Sequence, residues 1–127
     1  MCKYPVVTLC GSAKYKDQFI KIQKELTLKG YIVFSLGFFG QLCEDEAITS
    51  LGDNAMTRIK CMLMDMHKTK IDMSDEIFVI NPNGYIGNST WTEICYAYKK
   101  GKAIIFLEEV GKSMLEEKIE TFSKMYI

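Results

Sequence analysis

Four short apolar runs set the terms for this chain: PVVTLC at residues 5–10, YIVFSL at 31–36, EIFVI at 76–80 and KAIIFL at 102–107. They are brief, rich in β-branched and aromatic residues, and bounded by glycine or polar residues, which is how buried parallel strands read. Helix-length segments lie between them. From Lys14 to Lys29 the apolar residues Phe19, Ile22, Leu26 and Leu28 fall near helical spacing, with Gly30 where a C-terminal cap belongs. A second helix is expected from an N-cap at Asn54 to Lys70, carrying the stripe Met56, Ile59, Leu63 and Met66. A third is expected over Thr90–Lys100 before Gly101, and SMLEEKIETFSKMY closes the chain as a fourth.

Strands that alternate with helices of this length must run parallel, because each crossover returns over the sheet. The expectation is therefore an α/β fold: a single Rossmann-like (flavodoxin-like) three-layer domain over residues 1–127, with a parallel sheet of four to five strands. Residues 37–53 lack a clear period and read as a loop with one short helix, long enough to cover a site.

Composition narrows the function classes. With 127 residues, 48% of them hydrophobic, the chain has material for one core and not two. Sixteen basic and sixteen acidic side chains give a net charge of +0, so no global field draws it to a nucleic-acid polymer or an anionic membrane. The five cysteines include no C-x-x-C pair and read as small apolar residues in a reduced, cytoplasmic protein. The N-terminal apolar run is too short for a signal peptide, and no stretch approaches the roughly 20 residues of a membrane span. The eight methionines read as core filling.

Ligands of open α/β sheets collect beyond the carboxyl ends of the strands. Two loops have suitable chemistry there: Cys10-Gly11-Ser12 after the first strand, and Asn81 to Thr92 after the third. Glycines let backbone N–H groups approach an anion or sugar, and the next helix adds unpaired donors. Thr90-Trp91-Thr92-Glu93 also fits a capping box, so Glu93 has both a capping and a catalytic reading.

His67, the single histidine, lies at the edge of its helix stripe, where a packed or surface role competes with proton transfer. Asp65, Asp72 and the lysines 14, 16, 21 and 24 read as solvated. Trp91 and Tyr85 are either packing anchors or stacking platforms. No cluster at zinc spacing and no Walker-type loop is present in the sequence, so neither metal nor cofactor is expected.

Three blocks carry a resemblance: VTLCGSAKY at 7–15, KIDMSDEIFVIN at 70–81 and GYIGNSTWTEICYAYKKGKAIIFLE at 84–108. They resemble the nucleoside 2-deoxyribosyltransferase-like superfamily, which includes the 2'-deoxynucleoside 5'-monophosphate N-hydrolases, and above all its small bacterial and phage branch. The resemblance implies that Glu93 is the nucleophile, and that Gly11 and Ser12 belong to a substrate loop. Aligning Asp75 with the family's strand-start aspartate puts His67 where an aspartate assists the leaving base. Gly87 stands where the transferases have aspartate and the hydrolases serine to hold the sugar's 5' group. Asn88, Ser89 and Thr90 are the residues left to take over that duty, where backbone amides with hydroxyls favour phosphate, and Asn81 is a further substrate-binding candidate.

The expected activity is cleavage or exchange of the N-glycosidic bond of a nucleoside or its 5'-monophosphate, through a covalent sugar ester. A homodimer is implied as well. Two other readings stay open: a nucleotide-binding sensor without chemistry, and a phosphoribohydrolase of the cytokinin-activating type, whose P-G-G-x-G-T-x-x-E loop is partly matched.

Overall fold

The computed structural model describes residues 3–36 and 46–126. The apolar runs form β1 (Val6–Gly11), β2 (Ile32–Phe34), β3 (Glu76–Ile80) and β4 (Ala103–Phe106), joined by α1 (Lys16–Leu28), α2 (Glu46–Thr49), α3 (Asp53–Asp72), α4 (Asn88–Lys99) and α5 (Lys112–Tyr126). All three strand pairings are parallel, in the order β2-β1-β3-β4. This is a Rossmann-like α/β sheet of four strands, and the strand order turns between β1 and β3, the switch point where such sheets bind ligands.

The period of two along β1 divides the core. Val7 and Leu9 pack with Phe19, Ile22 and Leu26 of α1, together with Ile80. Cys10 faces the other way, into a cluster of Ile71 from α3, Ile77 and Val79 from β3, Ile94 and Cys95 from α4 and Ile119 from α5. Thr8 lies on that second face too, and its hydroxyl donates to the Lys70 carbonyl oxygen.

Several expectations need revision. α3 starts at Asp53 with Gly52 as its N-cap, so Asn54 sits inside the first turn and caps nothing. The buried residues of α3 are His67 and Ile71. Met66 lies off the stripe and His67 within it, because His67 stands one turn beyond Leu63 and one turn before Ile71. Met62, Met64 and Met66 are 52%, 56% and 46% exposed, so these methionines do not fill the core. Residues 37–45 of the expected site-covering loop lie outside the described residues, as do Cys2 and the loop's Cys43; the one short helix predicted there is α2. No helix among the described residues is long and apolar enough to cross a membrane.

Candidate functional site

The loop after β3 is held by Glu108, which follows β4. The Asn81 side chain donates to the Glu108 carbonyl oxygen and accepts from the Glu108 N–H, both at 2.9 Å. The Asn83 N–H donates to the Glu108 carboxylate. Asn83 takes a left-handed conformation at φ 57 and Gly84 follows at φ 77, which turns the chain towards α4. Asn81 is fully buried, and its amide serves this clamp rather than an incoming ligand.

The clamp fixes where α4 begins. Gly87 is the N-cap, no side chain caps the helix, and the first helical residue is Asn88. Thr90 is therefore inside the first turn and 4% exposed, and Glu93 is the sixth residue of the helix. The Thr90–Glu93 capping box does not form. Glu93 lies instead on the flank of α4 that faces α3.

There it meets His67. The Glu93 Oε2 lies 3.3 Å from His67 Nε2, and the Cys10 Sγ lies 3.5 Å from the same nitrogen. The convergence follows from simple geometry. Thr8 contacts Lys70 and Ser74 near the end of α3, and two residues further up β1, Cys10 contacts His67 one turn back along the helix. Two strand residues rise about 6.6 Å and one helical turn about 5.4 Å, so an antiparallel strand and helix stay in step. His67 is thereby carried to the carboxyl end of the sheet.

Comparisons with family models, curated proteins and solved structures return no match.

Burial dominates the electrostatics. It pushes the Glu93 carboxyl up to about 8, against a smaller opposing hydrogen bond from the Cys10 thiol. It pulls His67 down to about 4, with the Lys70 charge adding to the effect. Burial also raises the Cys10 thiol well above its ordinary value, and the neighbouring Glu93 charge works in the same direction. Although the pair has the spacing of a salt bridge, both shifts favour its neutral form. In that neutral form a protonated carboxyl donates to a neutral imidazole.

Glu93 separates two hollows. One, of about 300 Å³, lies between α3 and α4 and is lined by Lys60, Met64, Lys68, Asn88, Ser89 and Glu93. The other, of about 170 Å³, runs past His67 and Lys70 to Leu36. The Glu93 side chain is 22% exposed, so its carboxyl is accessible and yet largely desolvated.

Of the residues singled out from sequence, Glu93, His67, Asn88 and Ser89 line these hollows. Gly87 precedes Asn88 as the N-cap of α4, and a Cβ there would lie 3.3 Å from the Tyr85 hydroxyl. Ser12 accepts from the Lys14 N–H and starts a turn of 3-10 helix. At Gly11 a Cβ would lie 2.9 Å from the Ile80 carbonyl oxygen, so this glycine serves the close approach of β1 and β3. Trp91 stacks on Phe122 as a packing anchor. Tyr85 is 46% exposed, edge-on to Tyr15, with the Lys14 ammonium 3.8 Å from its ring centre, so Lys14 is not merely solvated. Asp72 accepts from the Tyr96 hydroxyl.

Sequence reasoning places Cys10 in the first candidate loop but gives its side chain no role, because its neighbours make it look like one more apolar strand residue. Its position just before the Gly11-Ser12 turn, at the carboxyl end of a parallel strand, is the available signal. Lys60 and Lys68 are missed because two lysines on a helix carry no signal until the partner helix is known.

Proposed function

We propose that this protein cleaves or exchanges the N-glycosidic bond of a nucleoside or its 5'-monophosphate, with Glu93 as nucleophile and His67 as proton carrier. The supporting observation is the desolvated Glu93–His67 pair at 3.3 Å, set in the wall of a groove at the switch point of the sheet. The likeness of three sequence blocks to the nucleoside 2-deoxyribosyltransferase-like superfamily agrees with it.

The chemistry needs one proton in the pair. As positive charge develops at C1', the proton moves from Glu93 to His67, which leaves a carboxylate and an imidazolium. The carboxylate attacks C1', the bond to the base breaks, and its electrons and the His67 proton go to the departing base nitrogen. Water, or a second base, then attacks C1' and frees Glu93, and His67 takes up the released proton. A cysteine-nucleophile relay is disfavoured, since it would use both ring nitrogens, whereas Cys10 and Glu93 meet the same one.

A 5'-phosphate suits the larger hollow. Asn88 and Ser89 open α4 with no side chain spending its first N–H groups, and Lys60 and Lys68 face them from α3. The burial that raises the Glu93 carboxyl favours a second reading, a sensor that uses the carboxyl as a hydrogen-bond donor. The test is chromatographic: deoxynucleosides, ribonucleosides and their 5'-monophosphates, with and without a free second base. Release from a monophosphate without an acceptor is the expected result. A substrate that raises the melting temperature while no compound in the panel releases base would leave the sensor reading in its place.

A further inference from the structure

Three ligating atoms from three elements converge: the Cys10 thiol of β1, the His67 imidazole of α3 and the Glu93 carboxylate of α4, all within 4.8 Å of one another. Sequence spacing hid this group, because its members stand 57 residues apart and more than twenty apart. Two of the three separations match those of a first coordination sphere. Zinc bound tetrahedrally at about 2.3 Å from sulfur and about 2.0–2.1 Å from nitrogen and oxygen sets S···N at about 3.6 Å and N···O at about 3.3–3.4 Å. Here S···N is 3.5 Å and N···O is 3.3 Å.

Without a metal the Cys10 thiol is hydrogen-bonded to the Glu93 carboxyl, and the His67 Nε2, with either one N–H or one lone pair, serves one close partner at a time. A cation at the common point satisfies all three. We propose that Cys10, His67 and Glu93 form a three-ligand site for a zinc-class divalent cation, with the fourth position open to the groove.

The donor set selects the metal class. Thiolate and imidazole favour zinc, cobalt and their neighbours over magnesium or calcium, which prefer all-oxygen sites. Binding sends the thiol proton, and the carboxyl proton where present, to solvent. Metal binding draws negative charge from the Glu93 carboxylate and occupies the His67 nitrogen that would carry the proton, so zinc is a reversible inhibitor of the glycosidic reaction. That inhibitory role rests on the function proposed above; metal binding itself does not.

The test therefore measures binding without substrate. The full chain is stripped with chelator and titrated with zinc against a chromophoric chelator, then with cobalt, whose thiolate charge-transfer and tetrahedral d–d bands report the ligands. One equivalent per chain is expected, lost in Cys10→Ser and in His67→Gln and kept in the control Cys61→Ser, which alters an exposed α3 thiol. Circular dichroism shows whether each variant is folded; should Cys10→Ser unfold, the cobalt–thiolate band of the unaltered chain carries the test.

Absence of stoichiometric binding, a cobalt complex without a thiolate band, or binding that survives in folded Cys10→Ser would overturn the site. Zinc binding by a chain that releases no base when metal-free would uphold the site and remove the glycosidase reading. Base release by a metal-free chain that binds no zinc would do the reverse. Faster release in the zinc-loaded form would overturn the inhibitory role.

Discussion

Glu93 is held in a state that costs stability, and the cost depends on pH. Its folded value of about 8 stands above the ordinary 4.5, so between these values the folded chain holds a proton that the unfolded chain gives up. Stability from this group is fully present below 4.5 and is lost as pH rises through 8. Glu93→Gln removes that loss and keeps the shape. In metal-free protein at pH 8 the variant is expected to be more stable than the parent by a few kcal/mol, since the loss accrues at about 1.4 kcal/mol for each pH unit between the two values. The gap should shrink towards pH 5, and urea melts at the two pH values measure it. A variant less stable than the parent at pH 8 would mean that Glu93 is ionised and well paired. His67 opposes this slope: its value of about 4 lies below the ordinary 6.5, so its contribution is present above 6.5 and lost as pH falls through 4.

Elements decide which residues meet, and here the sequence is legible in its strands and less so at its helix starts. β3 begins and ends where its apolar run does, and glycines 30 and 101 take the left-handed conformation of a C-terminal cap. The start of α4 is obscured because Thr90 and Glu93 mimic a capping box, while the true start depends on Glu108, fifteen residues or more along the chain. A tertiary clamp of this kind leaves no local pattern. The stripe of α3 is hidden for a related reason: a hydrophobicity pattern favours Met66 over His67, although only the sheet decides which of them is covered. The clamp is testable. Asn81→Leu leaves the Glu108 N–H and carbonyl without their side-chain partner, and should cost about 2–3 kcal/mol in urea unfolding. It should also slow the proposed base release by displacing α4. An unchanged midpoint would show that the clamp does not hold the loop.

For the whole molecule, the parallel order β2-β1-β3-β4 brings β1, α3 and α4 together at one end, where the hollows and the ligating trio lie. Alternating strands and helices make that architecture readable; the meeting of residues 10, 67 and 93 depends on helix tilt and register, which no periodicity encodes. Met62 and Met66 stand one turn apart on α3 and are 52% and 46% exposed, more apolar surface than a helix facing water usually keeps. The expectation is a homodimer that covers this face of α3. Sedimentation equilibrium should give twice the chain mass, and Met62→Lys with Met66→Lys should give the single mass; a parent chain that is monomeric at high concentration would contradict it.

The most direct measurement is of the bond that Glu93 is proposed to form. Metal-free protein is incubated with a 2'-fluoro-arabinonucleoside 5'-monophosphate, whose fluorine slows release of the sugar from the ester, and the intact and proteolysed chains are weighed. The account predicts a mass increase equal to the fluorinated sugar phosphate, on the peptide containing residue 93 and at Glu93 itself, and no increase in Glu93→Gln. Base release with no adduct, or an adduct carried by Cys10, would contradict it.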